Sequence, residues 1–208
     1  MDIRLSKIRV VLPTSRRTLF SIDELKIPFG TRLLIEGPSG QGKTSLLHLI
    51  AGLFPPTEGS VYLGEARVGT LSEIEVSRVR RKHFGIIFQR LNLLDHLTAL
   101  ENVLLVSSLE AAQKALEWVG LSASADQICN SMSLGEQQRI AVARVIAARP
   151  DIILADEPTS SLDAKNAGLI LDGLFKASEG KTLVVVSHDE RIRSRFSAQL
   201  DFGKWVTP

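Results

Sequence analysis

The sequence predicts an α/β fold built on a mainly parallel sheet, with an antiparallel β part at its amino end and a helical subdomain in its middle. Three observations carry this. Short apolar runs such as "RLLIE", "DIILAD" and "TLVVVS" suit strands buried on both faces. Stretches of helical pattern separate them, as the crossovers of a parallel sheet require. Between residues 91 and 150 the strand signal gives way to helical periodicity.

Taken in order, "IRLSKIRVVL" alternates apolar with polar residues and reads as an edge strand, and "PTSRRT" separates it from "LKI". "RLLIE" then runs into a glycine-rich turn, after which Thr44 to Leu53 carries Leu46, Leu47, Leu49, Ile50 and Leu53 on a wide apolar face. That helix is expected to stop near Gly52 and "PPTEG". The strands "SVYLG" and "GIIFQ" flank a charged helix around residues 72 to 82. "SLEAAQKALEWVG" places Leu109, Ala112, Leu116 and Val119 on one helical face. The last third alternates again: strand "DIILAD", a helix near 164 to 178, strand "TLVVVS" and a short basic tail. No internal repeat or low-complexity segment interrupts this order. The expected organisation is one domain over 1–208, with a core from 1–90 and 150–208 and a helical subdomain over about 91–149.

A chain of 208 residues, 44% hydrophobic, buries a substantial core, and its length excludes a large multidomain enzyme. Net charge is +2 with the signs interspersed, so no nucleic-acid partner is expected. The densest basic cluster, Arg78, Arg80, Arg81 and Lys82, has no interleaved aromatic residues for base stacking and reads as a solvated face. The single cysteine, Cys129, is expected to pack rather than pair, as suits a reducing compartment. "MDIRLSKIRV" lacks the apolar stretch of an export signal, and no run approaches the roughly 20 apolar residues of a membrane span.

"EGPSGQGKTSLL" satisfies G-x-x-x-x-G-K-[ST] with Gly37, Gly42, Lys43 and Thr44, and it lies between an apolar strand and an amphipathic helix. Glycines permit the tight turn in which successive N–H groups converge on phosphate oxygens. Lys43 then reaches the β- and γ-phosphates, and the Thr44 hydroxyl is a magnesium ligand. "IILADEPTSSLD" sets two carboxylates at a strand's carboxyl end, where ligands of open α/β sheets bind. Asp156 is placed to hold magnesium through its water shell, and Glu157 to orient or deprotonate a water for in-line attack on the γ-phosphate. Gln89 after "GIIF" and His188 after "LVVVS" occupy similar strand ends, where an amide and an imidazole sense the γ-phosphate, its metal and the attacking water.

"NSMSLGEQQRIAVAR" is the remaining constellation. Ser133 and Glu136 form a capping box that starts a helix running to about Ala148, and its amino end offers free N–H groups and positive dipole to a phosphate. Leu134 then falls at the first helical position and Gly135 at the second. Leucine is comfortable in helical φ/ψ, so any cost of Leu134 is steric.

With "GPSGQGKTS", the glutamine of "FQ", "MSLGEQQR", "LADEPTSSLD" and "VVSHD" in that order, nearly the whole chain resembles the nucleotide-binding subunit of an ATP-binding cassette (ABC) transporter. The stretch "RRKHFGIIFQRLNLLDHLTALENVLL" is similar to the group of lipoprotein-releasing, macrolide-exporting and division-associated ATPases. The resemblance implies the ABC ATPase fold on a P-loop NTPase core, with ATP and Mg2+ bound. It implies phosphate binding by Gly37, Pro38, Ser39, Gly40, Gln41, Gly42, Lys43, Thr44 and Ser45, and metal binding by Thr44, Gln89 and Asp156. Catalysis would rest on Glu157 with His188, Gln89 and Lys43. A homodimer or a pair of cassettes is implied, head to tail, with Ser133 and Gly135 of one subunit closing in trans on the γ-phosphate held by the other. The implied partner is a separately encoded membrane permease, met through a groove near Arg90, Leu91, Asn92, Leu93 and Leu94 unless those leucines are core; the implied location is cytoplasmic, peripheral on the inner face of the membrane.

The sequence departs from the family in three places. Met132, Ser133, Leu134, Gly135 and Glu136 stand where the signature is L-S-G-G-[QE], so Leu134 replaces the first glycine. Val10, Val11 and Leu12 stand where an aromatic residue usually stacks on adenine, and the only tyrosine, Tyr62, follows the loop. The helical stretch after Asn102 is shorter than usual. Two rival readings stay open: a regulatory module that closes on ATP and hydrolyses it poorly, and a soluble ABC ATPase of DNA repair or translation, against which the lack of a tandem cassette or long coiled coil counts.

Overall fold

The computed structural model describes residues 1–12, 16–160 and 162–206, so Pro13, Thr14 and Ser15 of "PTSRRT" and Ser161 of "TSSLD" lie outside the described residues. The chain runs β1 (Ile3–Val11), β2 (Thr18–Ile27), β3 (Arg32–Glu36), α1 (Lys43–Ile50), β4 (Glu58–Leu63), β5 (Ala66–Arg67), α2 (Glu73–His83) and β6 (Phe84–Ile87). It continues through α3 (Ala99–Leu104), α4 (Leu109–Trp118), α5 (Leu134–Ala148), β7 (Ile152–Asp156), α6 (Ala164–Ala177), β8 (Thr182–Val186), α7 (Glu190–Arg193) and β9 (Ala198–Asp201).

Two sheets form. One is antiparallel, in the order β2-β1-β4-β5, and the other is parallel throughout, in the order β6-β7-β8-β3-β9. Every residue of β7 and β8 is buried, which is why these strands read as unbroken apolar runs. Side chains alternate across the parallel sheet. Leu34, Ile87, Ile153, Ala155, Leu183 and Val185 join one apolar cluster with the helices α3 to α6. Leu33, Ile35, Ile152, Leu154, Val184 and Val186 join a second with α1 and the antiparallel sheet. Each fully buried aliphatic side chain of this kind contributes about 1.5–3 kcal/mol.

Most expected elements fall within a few residues of their predicted bounds, and four expectations are corrected. The first strand is not an edge: β1 pairs with β2 on one side and β4 on the other, and its alternation arises because only one face of this antiparallel sheet packs on the core. The basic tail is structured: Ala198–Asp201 pairs in parallel with β3, because Ala198 and Leu200 pack against the second cluster. Leu109 is 53% exposed although its helix forms, because as the first residue of α4 it lies beyond the end of the packed face of Ala112, Ala115 and Leu116. Arg80 is not merely solvated. Its Nη1 donates to the Gly52 carbonyl at 3.1 Å, closing the carboxyl end of α1. Cys129 packs as expected: it is fully buried, its Sγ lies 3.1 Å from Asn102 Nδ2, and burial pushes its thiol pKa up.

Helix α5 crosses close to the sheet's β6 edge. An added Cβ at Gly85 would stand 2.6 Å from both Pro150 Cγ and Val145 Cγ1, two atoms with little freedom to turn aside. Gly85→Ala is therefore expected to overpack this contact and destabilise the fold by about 1–3 kcal/mol, read as a lowered Tm and denaturant midpoint.

Candidate active site

Because the larger sheet is parallel, β3, β6, β7 and β8 all deliver their carboxyl ends to one edge. The segments leaving those ends are the phosphate loop, Gln89, the Asp156–Glu157 pair and the Ser187–His188 pair. Ser39, Gly40, Gly42, Lys43, Thr44 and Ser45 line a cleft of about 430 Å³ together with Gln89, Asp156 and Glu157. Gly42 caps α1 with φ 107°, and a Cβ there would stand 2.8 Å from Leu19 Cγ, so backbone and packing both require glycine. Gln41 lies over the same loop, its Oε1 buried without a hydrogen bond and 3.1 Å from where a Cβ on Gly37 would be.

Lys43 is buried under its own loop, where Nζ donates to the carbonyls of Gly37 at 2.6 Å and Pro38 at 2.8 Å. An ammonium has three donors, and these two carbonyls take two of them. Desolvation lowers the Lys43 pKa, and the nearby Glu157 and Asp156 charges act against that shift. The Thr44 hydroxyl donates to Asp156 Oδ2 at 2.7 Å, tying the first turn of α1 to the end of β7. Thr44, Asp156 and Gln89 are hard oxygen donors that suit magnesium. Among the described residues no cluster of three His, Cys, Asp or Glu side chains could hold a metal.

Glu157 has a left-handed φ of 50°, unusual for a residue with a Cβ and typical of functional turns. Its side chain is fixed at both oxygens. Ser187 Oγ donates to Oε2 at 2.9 Å, and His188 Nδ1 lies 2.6 Å from Oε1. A carboxylate only accepts, so this contact requires the proton of the imidazole on Nδ1. The sequence pointed to His188 at the phosphate and its water; here it touches the carboxylate. Ser187, signalled only by its place at the end of "LVVVS", was missed. So was Gln138, whose Nε2 donates to the Glu157 carbonyl at 2.9 Å and which interrupts the apolar face of α5.

Ser133 caps α5 as the sequence required. Its Oγ receives the Glu136 N–H at 3.4 Å and bonds Glu136 Oε2 at 2.7 Å, while Glu136 Oε2 accepts from Ser133 N–H at 2.9 Å. Neither Ser133 nor Gly135 lines the cleft of its own chain, and the Leu134 side chain is 60% exposed at this helix end. At the other end of the cleft the lining is aliphatic, from Leu12 and Leu19. Val10 is buried in the core and is no platform for a base, since it alternates inward from β1.

The profile of the ABC transporter family matches residues 21–160, which include the phosphate loop, Gln89, Ser133 to Glu136, Asp156 and Glu157. The chain belongs to this family. MJ0796, an ABC transporter ATP-binding protein of Methanocaldococcus jannaschii, is 40% identical over 195 residues, covering 86% of this chain and 83% of that protein. The lipoprotein-releasing system ATP-binding protein LolD of Acinetobacter baylyi is 38% identical over 196 residues, 88% of this chain and 86% of its own. The macrolide export ATP-binding/permease protein MacB of Bdellovibrio bacteriovorus is 44% identical over 176 residues, which is 81% of this chain but 27% of that protein. Among solved structures, the dimeric MJ0796 cassette in a post-hydrolysis state, bound to ADP and Pi, superposes with a TM-score of 0.89 at 34% identity, covering 96% of this chain and 94% of that one. This ABC ATP-binding cassette thus has the α/β fold and the motif order that the sequence led us to expect.

The buried Asp156 carboxyl makes the stability of the cassette depend on pH. Burial, with a contribution from Glu157, raises the Asp156 pKa, and the Thr44 hydrogen bond acts against that shift. The folded chain therefore holds this proton more tightly than the unfolded chain does. The associated stability is full at low pH and lost as pH rises through the folded value. Asp156→Asn, uncharged throughout, should raise Tm at neutral pH without nucleotide. The gain should vanish as pH falls below the carboxyl range; melts of both proteins against pH check this.

Proposed function

We propose that this cassette binds and hydrolyses ATP as a dimer and that closure of the dimer drives a separately encoded membrane permease. The observation that carries the reading is the convergence of the phosphate loop with both acids of β7, joined by the Thr44–Asp156 hydrogen bond and flanked by the held Glu157 carboxylate. The N–H groups of Gly37 and of Ser39 to Ser45, with the Lys43 ammonium, bind the phosphates. Magnesium on Thr44, Asp156 and Gln89 would neutralise charge developing on the β- and γ-oxygens. Glu157 accepts the proton of the attacking water. His188, bound to its carboxylate, keeps that acceptor oriented. In trans, Ser133 and the Gly135 N–H complete the γ-phosphate site of the partner subunit.

Residues 91–149 act as the helical signature subdomain on a core of 1–90 and 150–208, and the apolar cluster that α3, α4 and α5 share with α6 and the sheet joins the two. The permease meets the surface around Leu94, which is 42% exposed and whose backbone is hydrogen-bonded by Asn102 of α3. Leu93 instead packs against the core, and Arg144 Nη2 donates to the Leu91 carbonyl. Among the described residues no helix is long and apolar enough to cross a membrane, in keeping with a cytoplasmic subunit peripheral on the inner face.

Two substitutions test binding and chemistry separately. Lys43→Ala should weaken ATP binding at least tenfold, because hydrogen bonds to charged groups contribute about 1.5–3 kcal/mol. Glu157→Gln should bind ATP and hold a closed dimer while turnover drops about 10²–10⁴-fold, the usual contribution of a general base. ATP affinity like wild type in the first, or normal turnover in the second, overturns the corresponding role.

Leu134 favours slow basal hydrolysis. Its side chain is exposed at the helix end that this reading assigns to the partner's phosphate, and a misplacement of about 1 Å costs roughly a hundredfold in rate. Leu134→Gly should accelerate ATPase turnover, at a cost to the helix start of under about 1 kcal/mol. If it folds normally, by Tm, yet turns over no faster, the leucine points away from the nucleotide and serves packing or permease contact.

A further inference from the structure

The Glu157 carbonyl, at the edge of the cleft, receives three hydrogen bonds. It receives Gln138 Nε2 at 2.9 Å, Ser160 Oγ at 3.1 Å and Ser160 N–H at 3.3 Å. The Ser160 bonds are local and close the turn after β7. Only the Gln138 bond comes from another element. Gln138 is the fifth residue of α5 and is 95% buried, with 5% of its surface exposed. Its Oε1 is buried without a hydrogen-bond partner.

Packing alone does not account for an amide in this position. Methionine fills a similar volume and strands no buried acceptor, so the side chain's use lies in its donor. That donor holds the peptide of a residue at φ 50°, a conformation that a Cβ-bearing residue keeps only when its surroundings fix it. The amide thus steadies the main chain of Glu157, while Ser187 and His188 steady its carboxylate. Gln138 lies five positions after the capping Ser133, about 7.5 Å along the helix axis.

We propose that Gln138 is a positioning residue for hydrolysis: through the Glu157 carbonyl it ties the base of one site to the helix whose amino end clamps the nucleotide of the other. The inference rests on Glu157 being the base. A shift of α5 as its amino end seats on the partner's phosphate is transmitted along a rigid helix to the peptide that carries the base. Clamping at one nucleotide thereby adjusts proton transfer at the other.

Gln138→Met keeps the volume and removes the donor and the orphan acceptor together. The full chain carrying it should lose turnover tenfold to a hundredfold, while KM for ATP, ATP-driven dimer formation and Tm stay within about twofold or a few degrees of wild type. Gln138→Asn keeps the amide but withdraws it by one methylene, and it should give the same split between kcat and KM. In a Glu157→Gln background, Gln138→Met should cost nothing more, because the group it positions is already gone. Wild-type kcat in a folded Gln138→Met, or a further full loss in the double variant, overturns the proposal while leaving an inactive Glu157→Gln as support for the base. So does a loss carried by KM and Tm alone, which marks a packing residue. Normal turnover in Glu157→Gln overturns the base assignment and the proposal with it.

Discussion

Parallel pairing is the constraint on which the rest depends. Strands that run the same way bring all their carboxyl ends to one edge, and they can do so only with crossovers covering both faces. The alternation of Leu34 with Leu33 and Ile35, and of Ile153 with Ile152 and Leu154, feeds two separate apolar layers from one sheet. With four strand ends fixed side by side, short polar segments after them converge without long loops. Glu157 follows β7 and His188 follows β8 by two residues, yet their side chains meet at 2.6 Å. The precision of the site comes from the sheet, and the chemistry from a handful of residues beyond its edge.

Within that edge the charges are arranged in tension. Lys43, Asp156 and Glu157 are all buried, and burial disfavours each charged form. The lysine loses pKa and Asp156 gains it, for the same reason. Mutual attraction, the loop carbonyls and the Thr44 hydroxyl offset part of this cost. Such a site is better completed by a polyanion with its cation than left to itself.

Much of this was legible in the sequence because it is local. A strand, a glycine-rich turn and a helix lie contiguously around Lys43, and a capping box is written in Ser133 and Glu136. Family resemblance then supplied the pairing of sites across two subunits. What escaped notice depends on contacts between distant segments. Gln138 and Glu157 are 19 residues apart, and Ser187 and Glu157 are 30 apart, with nothing in either neighbourhood announcing the bond. The terminal strand was hidden for a related reason: four residues with only Ala198 and Leu200 facing inward give too short an alternation to distinguish an edge strand from a tail. The placement of Arg80 on the end of α1 likewise arises from helices meeting, which no single stretch records.

The seclusion of Cys129 has a practical side. It is the only cysteine in the chain, it is fully buried, and its thiol is held protonated by its surroundings, so thiol-directed labels should pass it over in the native cassette. A cysteine introduced at an exposed position then becomes the sole reactive thiol without first removing the native one. Fluorophores or spin labels attached near the amino end of α5 would report the approach of two subunits from an otherwise unaltered protein.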